Sequence, residues 1–187
     1  VEAQAGRIIL LNGASSSGKS TLARELQNAL PEPFWHYSID HLRDANVLPM
    51  VRIKSGEFPW IAQRPAFFDG FHRSVAAFAA AGNHQIVEHI VETQAWMARL
   101  VALLGSFDVF FVGIHCPLEE LERRETARGD RRVGEARADL RIIHSFGAYD
   151  LELDGTQPVA ANVSRLMTAW HERGRPNAFD KMGAAQH

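Results

Sequence analysis

Short apolar runs alternate along this chain with stretches whose apolar residues recur every three or four positions. Arg7-Ile8-Ile9-Leu10-Leu11-Asn12 is a β-rich run, and Ser20–Leu30 places Leu22, Leu26 and Leu30 on one helical face. Trp35–Ile39 predicts a second strand, with a short helix over 40–46. Residues 47–65 hold Pro49, Gly56, Pro59 and Pro65 without a clean period and predict an irregular loop. Phe67, Phe71, Val75 and Phe78 predict a helix over 66–80, stopped by Gly82. Gln85–Val91 predicts a strand, and Thr93 can cap a helix running to Leu104. Phe107–His115 is the most apolar segment and predicts a central strand buried on both faces.

Pro117 opens a helix to about Arg128, supported by Glu119–Arg123 and Glu120–Arg124 at four-residue spacing. A polar, Arg-rich connection over 129–134 precedes a helix over 135–146 and a short strand over 150–154. Val159, Val163, Leu166 and Trp170 share one face of a last helix, Val159–Glu172. Residues 174–187 carry few large apolar side chains and read as a mobile tail. Five strands and about seven helices in alternation predict one α/β domain over 1–173, its parallel sheet covered on both faces.

Composition narrows the function classes. Lys and Arg number 20 against 22 Asp and Glu, a net charge of −2, so the basic excess of a nucleic-acid binder is missing. The single cysteine, Cys116, forms no intrachain disulfide and fits a reducing compartment. No apolar run reaches the roughly 20 residues that cross a bilayer. Residues 1–6 lack the basic and apolar regions of a signal peptide. The expectation is a cytoplasmic protein with neither membrane nor nucleic acid as partner.

The chemistry begins at Gly13-Ala14-Ser15-Ser16-Ser17-Gly18-Lys19-Ser20, which fills G-x-x-x-x-G-K-[ST] between a strand and a helix. Phosphate groups need converging N–H donors without intervening Cβ atoms, which Gly13 and Gly18 allow, and a helix N-terminus adds its dipole. Lys19 would reach the β- and γ-phosphates of ATP, and the Ser20 hydroxyl would ligate Mg²⁺. Residues 13–20 with Thr21 are the candidate nucleotide site. A Gly/Ser-rich turn matching by chance is the alternative, and the correct flanks on both sides weigh against it.

Asp40 follows the second strand at its carboxyl end, where open α/β sheets bind ligands. It is a candidate general base, and equally a candidate cap for the helix that follows. Arg123, Arg124, Arg128, Arg131 and Arg132 suit a lid that stabilises a moving phosphoryl group. A solvated helix face or an RNA patch is the alternative, and Glu119, Glu120, Glu122 and Glu125 disfavour RNA. Glu88-His89 ends a strand and could hold Mg²⁺ or its waters, contact an acceptor, or simply close the strand. His89 with Glu92 makes no convincing metal set. His36, His41, His72 and His84 read as structural or exposed, and Cys116 as packing. Phe34, Trp35, Tyr37 and Trp60 are candidate acceptor walls or core.

With these residues in view the chain resembles the chloramphenicol phosphotransferase family of small P-loop kinases. Arg7–Gly13 leading into the P-loop, Leu30-Pro31-Glu32-Pro33 followed by Ile39-Asp40, Arg124–Arg131 and Tyr149–Asp154 carry the likeness. The resemblance implies a nucleotide-kinase-type parallel five-stranded sheet of order 2-3-1-4-5, flanked by helices, with an Arg-rich lid. It implies that Asp40 takes the acceptor's proton, that Arg128 and Arg131 lie near the phosphates, and that Arg124 joins them. Glu88-His89 stands where the family's antibiotic kinase has adjacent aspartates. Residues 47–65 also differ, being shorter and carrying Arg52, Lys54, Trp60 and Arg64. Both departures fall on the acceptor side, so the nucleotide half transfers more firmly than chloramphenicol itself. The expected activity is ATP- and Mg²⁺-dependent phosphorylation of a hydroxyl on a small molecule. A kinase of a nucleotide-sugar or RNA, or a nucleotide-dependent switch, is the rival.

Overall fold

The structure, a computed structural model, describes residues 4–128 and 135–185. Strand β1 (Ile8–Asn12) is buried at all five positions and runs into the P-loop and helix α1 (Lys19–Ala29). Then come β2 (Phe34–Ser38), α2 (Ile39–Asp44), α3 (Met50–Lys54), α4 (Trp60–Ala80) and β3 (His84–His89). The second half holds α5 (Gln94–Leu104), β4 (Val109–His115), α6 (Leu118–Arg128), α7 (Glu135–Leu140), β5 (Leu151–Asp154), α8 (Val159–Glu172) and α9 (Ala178–Ala184). All strand pairs are parallel, in the order β2-β3-β1-β4-β5. The expected five-stranded sheet and its order are therefore observed.

Side-chain alternation along β1 explains the two core layers. Ile8 and Leu10 join Phe71, Val87, Phe111 and Phe179 under α4, α5 and α9. Ile9 and Leu11 join Leu22, Leu26, Leu166 and Trp170 under α1 and α8. A strand covered on both faces must be apolar throughout, which is why β1 and β4 read as unbroken runs. With β3 and β4 on either side of β1, the carboxyl ends of three strands converge around the P-loop. No helix among the described residues is long and apolar enough to cross a membrane.

Three segments depart from expectation. Residues 47–65 are not wholly irregular: α3 lies within them, and α4 starts at Trp60 with Pro65 inside it. The amide that Pro65 lacks would have met the Ile61 carbonyl, and Ile61 is 83% exposed, so water can replace the bond. The helix expected over 135–146 stops at Leu140, and the Ile143 carbonyl accepts instead from Asn12 Nδ2 at 2.9 Å. The expected mobile tail is ordered at 178–184. Asn177 and Asp180 form a capping box, the Ala178 amide donates to Asp150, and Phe179 is fully buried. One well-placed aromatic and one cap were enough to dock a segment poor in large apolar residues.

Candidate active site

The P-loop's shape comes from left-handed backbone at Ser16 (φ 65°) and Gly18 (φ 98°). A Cβ on Gly13 would lie 2.9 Å from the Ile114 carbonyl oxygen, so only glycine lets the loop pass this close to β4. Lys19 folds back over the loop and donates to the carbonyls of Gly13 at 2.7 Å and Ala14 at 2.8 Å. The Ser16 and Ser17 hydroxyls are buried and meet no hydrogen-bond partner among the described residues. A phosphate chain would satisfy such orphaned donors, and α1 places its N-terminus behind them.

From outside, two helices grip the loop. Arg124 on α6 donates through Nη2 to the Gly155 carbonyl at 2.9 Å and through Nη1 to that of Ser16 at 3.5 Å. Asp139 on α7 accepts from the Ser15 amide at 2.9 Å, while Leu140 packs on Ala14, Cys116 and Leu121. Glu120 holds Arg123 and Arg124, and those two bonds pull its carboxyl down to about 2.

Ser15 to Thr21 line a cavity of about 740 Å³ together with Asp40, Glu88, His89, Arg123 and Arg124. Gly13 and Ala14 sit behind it, acting through their carbonyls on Lys19. Parallel pairing sets Glu88 level with Ser38 of β2. Its Oε2 accepts from the Ser20 hydroxyl at 2.9 Å, and its Oε1 meets His36 Nε2. Burial pushes the Glu88 carboxyl up, but the His36 bond, the Lys19 charge and the Ser20 hydroxyl outweigh it and hold the pKa below the usual range. Glu88 is thus a carboxylate at neutral pH beside a hydroxyl, a hard-oxygen pair suited to Mg²⁺, which keeps several waters and needs few protein ligands. No cluster of three or more ligating side chains exists among the described residues, as such a site requires none.

Asp40 lies in the first turn of α2, and the cap of that helix is Ser38, whose hydroxyl accepts from the Asp40 amide at 3.2 Å. The capping role is thus filled by another residue. The Asp40 carboxylate stands 3.2 Å from Arg43 Nη1, partly exposed and facing the cavity.

Beyond Asp40 the wall is formed by Trp60, Arg64, Phe68, Ile90 and Glu92. Behind it sits a buried pair of imidazoles, His72 and His89, with Nε2 atoms 2.6 Å apart. His89 Nδ1 accepts from the Ile90 amide, so its proton is on Nε2 and is donated to His72. Burial keeps both neutral, pulling His72 down to about 4 and His89 well below its ordinary value.

Not every expected residue reaches the cavity. Phe34 belongs to the core, Trp35 leans on Phe78, and Tyr37 packs on Phe71 with its hydroxyl on Ser74, so of the four aromatic candidates only Trp60 is a wall. Arg128 ends α6, and its side chain lies outside the described residues, as do Arg131 and Arg132. Cys116 is buried, and burial raises its thiol, as packing predicts. His36, which reads as structural or exposed, is structural: it buttresses Glu88. The available signal was its place two residues before Ser38 on one face of β2. Arg64 with Glu92 and Asp139 with Ser15 were not legible, because each bond joins residues far apart in sequence.

Comparison with known proteins places this arrangement. The family described as chloramphenicol phosphotransferase-like protein matches residues 6–172. A provisionally named O-phosphotransferase of Mycobacterium tuberculosis is 30% identical, over 95% of this chain and 88% of its own length. Among solved structures, Mycobacterium tuberculosis APS kinase in complex with AMPPNP and APS superposes with a TM-score of 0.67 at 19% identity, covering 89% of this chain and 98% of that one. Shikimate kinase from Aquifex aeolicus gives 0.63 at 15% identity, over 88% and 96%. At such identities these two structures establish a shared P-loop kinase fold.

Proposed function

The chain belongs to the chloramphenicol phosphotransferase-like family, and from that premise we propose that this phosphotransferase moves the γ-phosphoryl group of ATP to a hydroxyl of a small organic molecule. The observation that carries the reading is one cavity shared by the P-loop, the Ser20–Glu88 pair and Asp40. Lys19 and the loop amides hold the phosphates. Asp40 accepts the acceptor's proton as its oxygen bonds to phosphorus, and the bond to the ADP oxygen breaks. Ser20 and Glu88 are the residues that would hold Mg²⁺, which would neutralise part of the phosphate charge. Arg124, Arg128 and Arg131 fit as cations around the transferred group. Chloramphenicol is one candidate acceptor.

The test is ADP release from ATP with and without a panel of hydroxylated compounds that includes chloramphenicol. A stimulating acceptor is expected, and Lys19→Ala, still folded, should lose about 10²-fold or more of the stimulated rate. If every compound leaves the water-only rate unchanged, the protein is a slow nucleotide hydrolase or switch. Full turnover in a folded Lys19→Ala variant would remove the P-loop from the reaction.

A further inference from the structure

The acceptor side of the cavity carries a cation that the proposed transfer does not use. The Arg64 guanidinium carbon stands 4.8 Å from the centre of the Phe68 ring and 4.9 Å from that of Trp96. Its Nη2 alone meets Glu92, at 2.5 and 2.6 Å from the two carboxylate oxygens. Nε and Nη1 bond to nothing among the described residues, and the side chain is 31% exposed. Two rings and one carboxylate therefore fix the guanidinium plane while leaving donors open. A cation held this way loses little rotamer freedom when an oxyanion binds it.

Other cations of the wall are less available. Arg123 and Arg124 are held by Glu120, and Arg43 by Asp40 and Asp44, whereas Arg64 keeps two of its three nitrogens open toward the acceptor side.

We infer that the acceptor is a small hydroxy acid, and that Arg64 binds its carboxylate while Trp60 supplies an apolar wall. This rests on reading the cavity as a phosphoryl-acceptor site. Glu92 is both the tether that aims Arg64 and a competitor for its charge. Without such a role the Arg64–Glu92 pair would only staple α4 to the segment after β3, and that alternative predicts no selectivity for anions.

The probes are mandelate and 3-phenyllactate, each against its neutral amide, titrated by tryptophan fluorescence with ADP and Mg²⁺ filling the P-loop. The acids are expected to bind about 10-fold tighter than the amides, as a charge-assisted bond implies. Arg64→Met should erase that difference while ADP affinity is kept. Glu92→Gln, which retains a tether but removes the competing charge, should widen it. Equal binding of acids and amides, no saturable binding of either acid, or an unchanged preference in folded Arg64→Met overturns the inference. Should Arg64→Met fail to fold, the Glu92→Gln result decides, and failure to tighten the acids overturns it. Because binding is read without turnover, the two readings fail separately. Phosphorylation of neutral alcohols with no acid preference defeats this inference alone, and acid binding without transfer to any hydroxyl defeats the transferase reading alone.

Discussion

Replacing Asp40 by Asn separates a chemical role from a structural one. The cap of α2 is the Ser38 hydroxyl, which accepts from the backbone of residue 40, so the substitution leaves that bond in place. The carboxylate stands 3.2 Å from Arg43 Nη1, a pair whose side chains are 35% and 41% exposed. A pair this open to water contributes about 0–1 kcal/mol. Loss of a negative charge from the first turn costs about 0.3–1 kcal/mol at most. The stability cost should therefore stay below about 2 kcal/mol. Asn cannot take a proton at neutral pH, so stimulated ADP release should fall about 10²–10⁴-fold. Rate and urea midpoint measured on the same preparation decide the matter. Turnover within a few-fold of the parent would show that Asp40 is not the base, and Glu88 would be the next carboxylate to examine.

Two further outcomes follow from packing and burial. Phe179→Ala removes a fully buried ring that meets Phe111 edge-on at 5.5 Å, and should cost about 3–5 kcal/mol in urea unfolding; a loss below about 1 kcal/mol would mean that α9 does not dock. His72, His89 and His144 all have pKa values lowered in the fold, first of all by burial, with His72 and His144 pulled to about 4. The unfolded chain binds their protons more readily, so stability should be complete above pH 6.5 and decline as pH falls through about 4. His72→Phe should flatten that decline, and an unchanged slope would show that the buried pair does not contribute to it.

What could be read from the sequence was what is local. The P-loop is eight consecutive residues, and strands β1 and β4 declare themselves because a strand covered on both faces leaves no room for polar positions. Lys19, Ser20 and Asp40 can be named as candidates because each has a fixed place relative to a strand end, and all three line one cavity. Over 60–65 the sequence points away from helix because proline argues against one, and only the solvent exposure of Ile61, a tertiary fact, removes the objection. His36, 52 residues from Glu88 in sequence, and Asp139, 124 from Ser15, could not be paired without the fold. Asn12 shows the limit most plainly. It reads as the polar end of a strand, yet it accepts from the Val91 amide and donates to Ile143 and Tyr149, tying three segments together.

The order β2-β3-β1-β4-β5 also governs when the nucleotide site can exist during synthesis. Residue 8 pairs with residue 85 on one side and with residue 109 on the other, so the P-loop strand emerges long before either neighbour. Until the ribosome has passed β4, the loop's sharp left-handed turns have nothing to lean on, and the Ile114 backbone that shapes Gly13 has not been made. Pairings this distant are slow to form, because chain entropy is spent before contacts repay it. A bound nucleotide can therefore support folding only after Ile114 has been made. Before β3 and β4 are made, the wholly buried run of β1 has no sheet neighbour to cover it, and apolar segments exposed in this way are prone to aggregate.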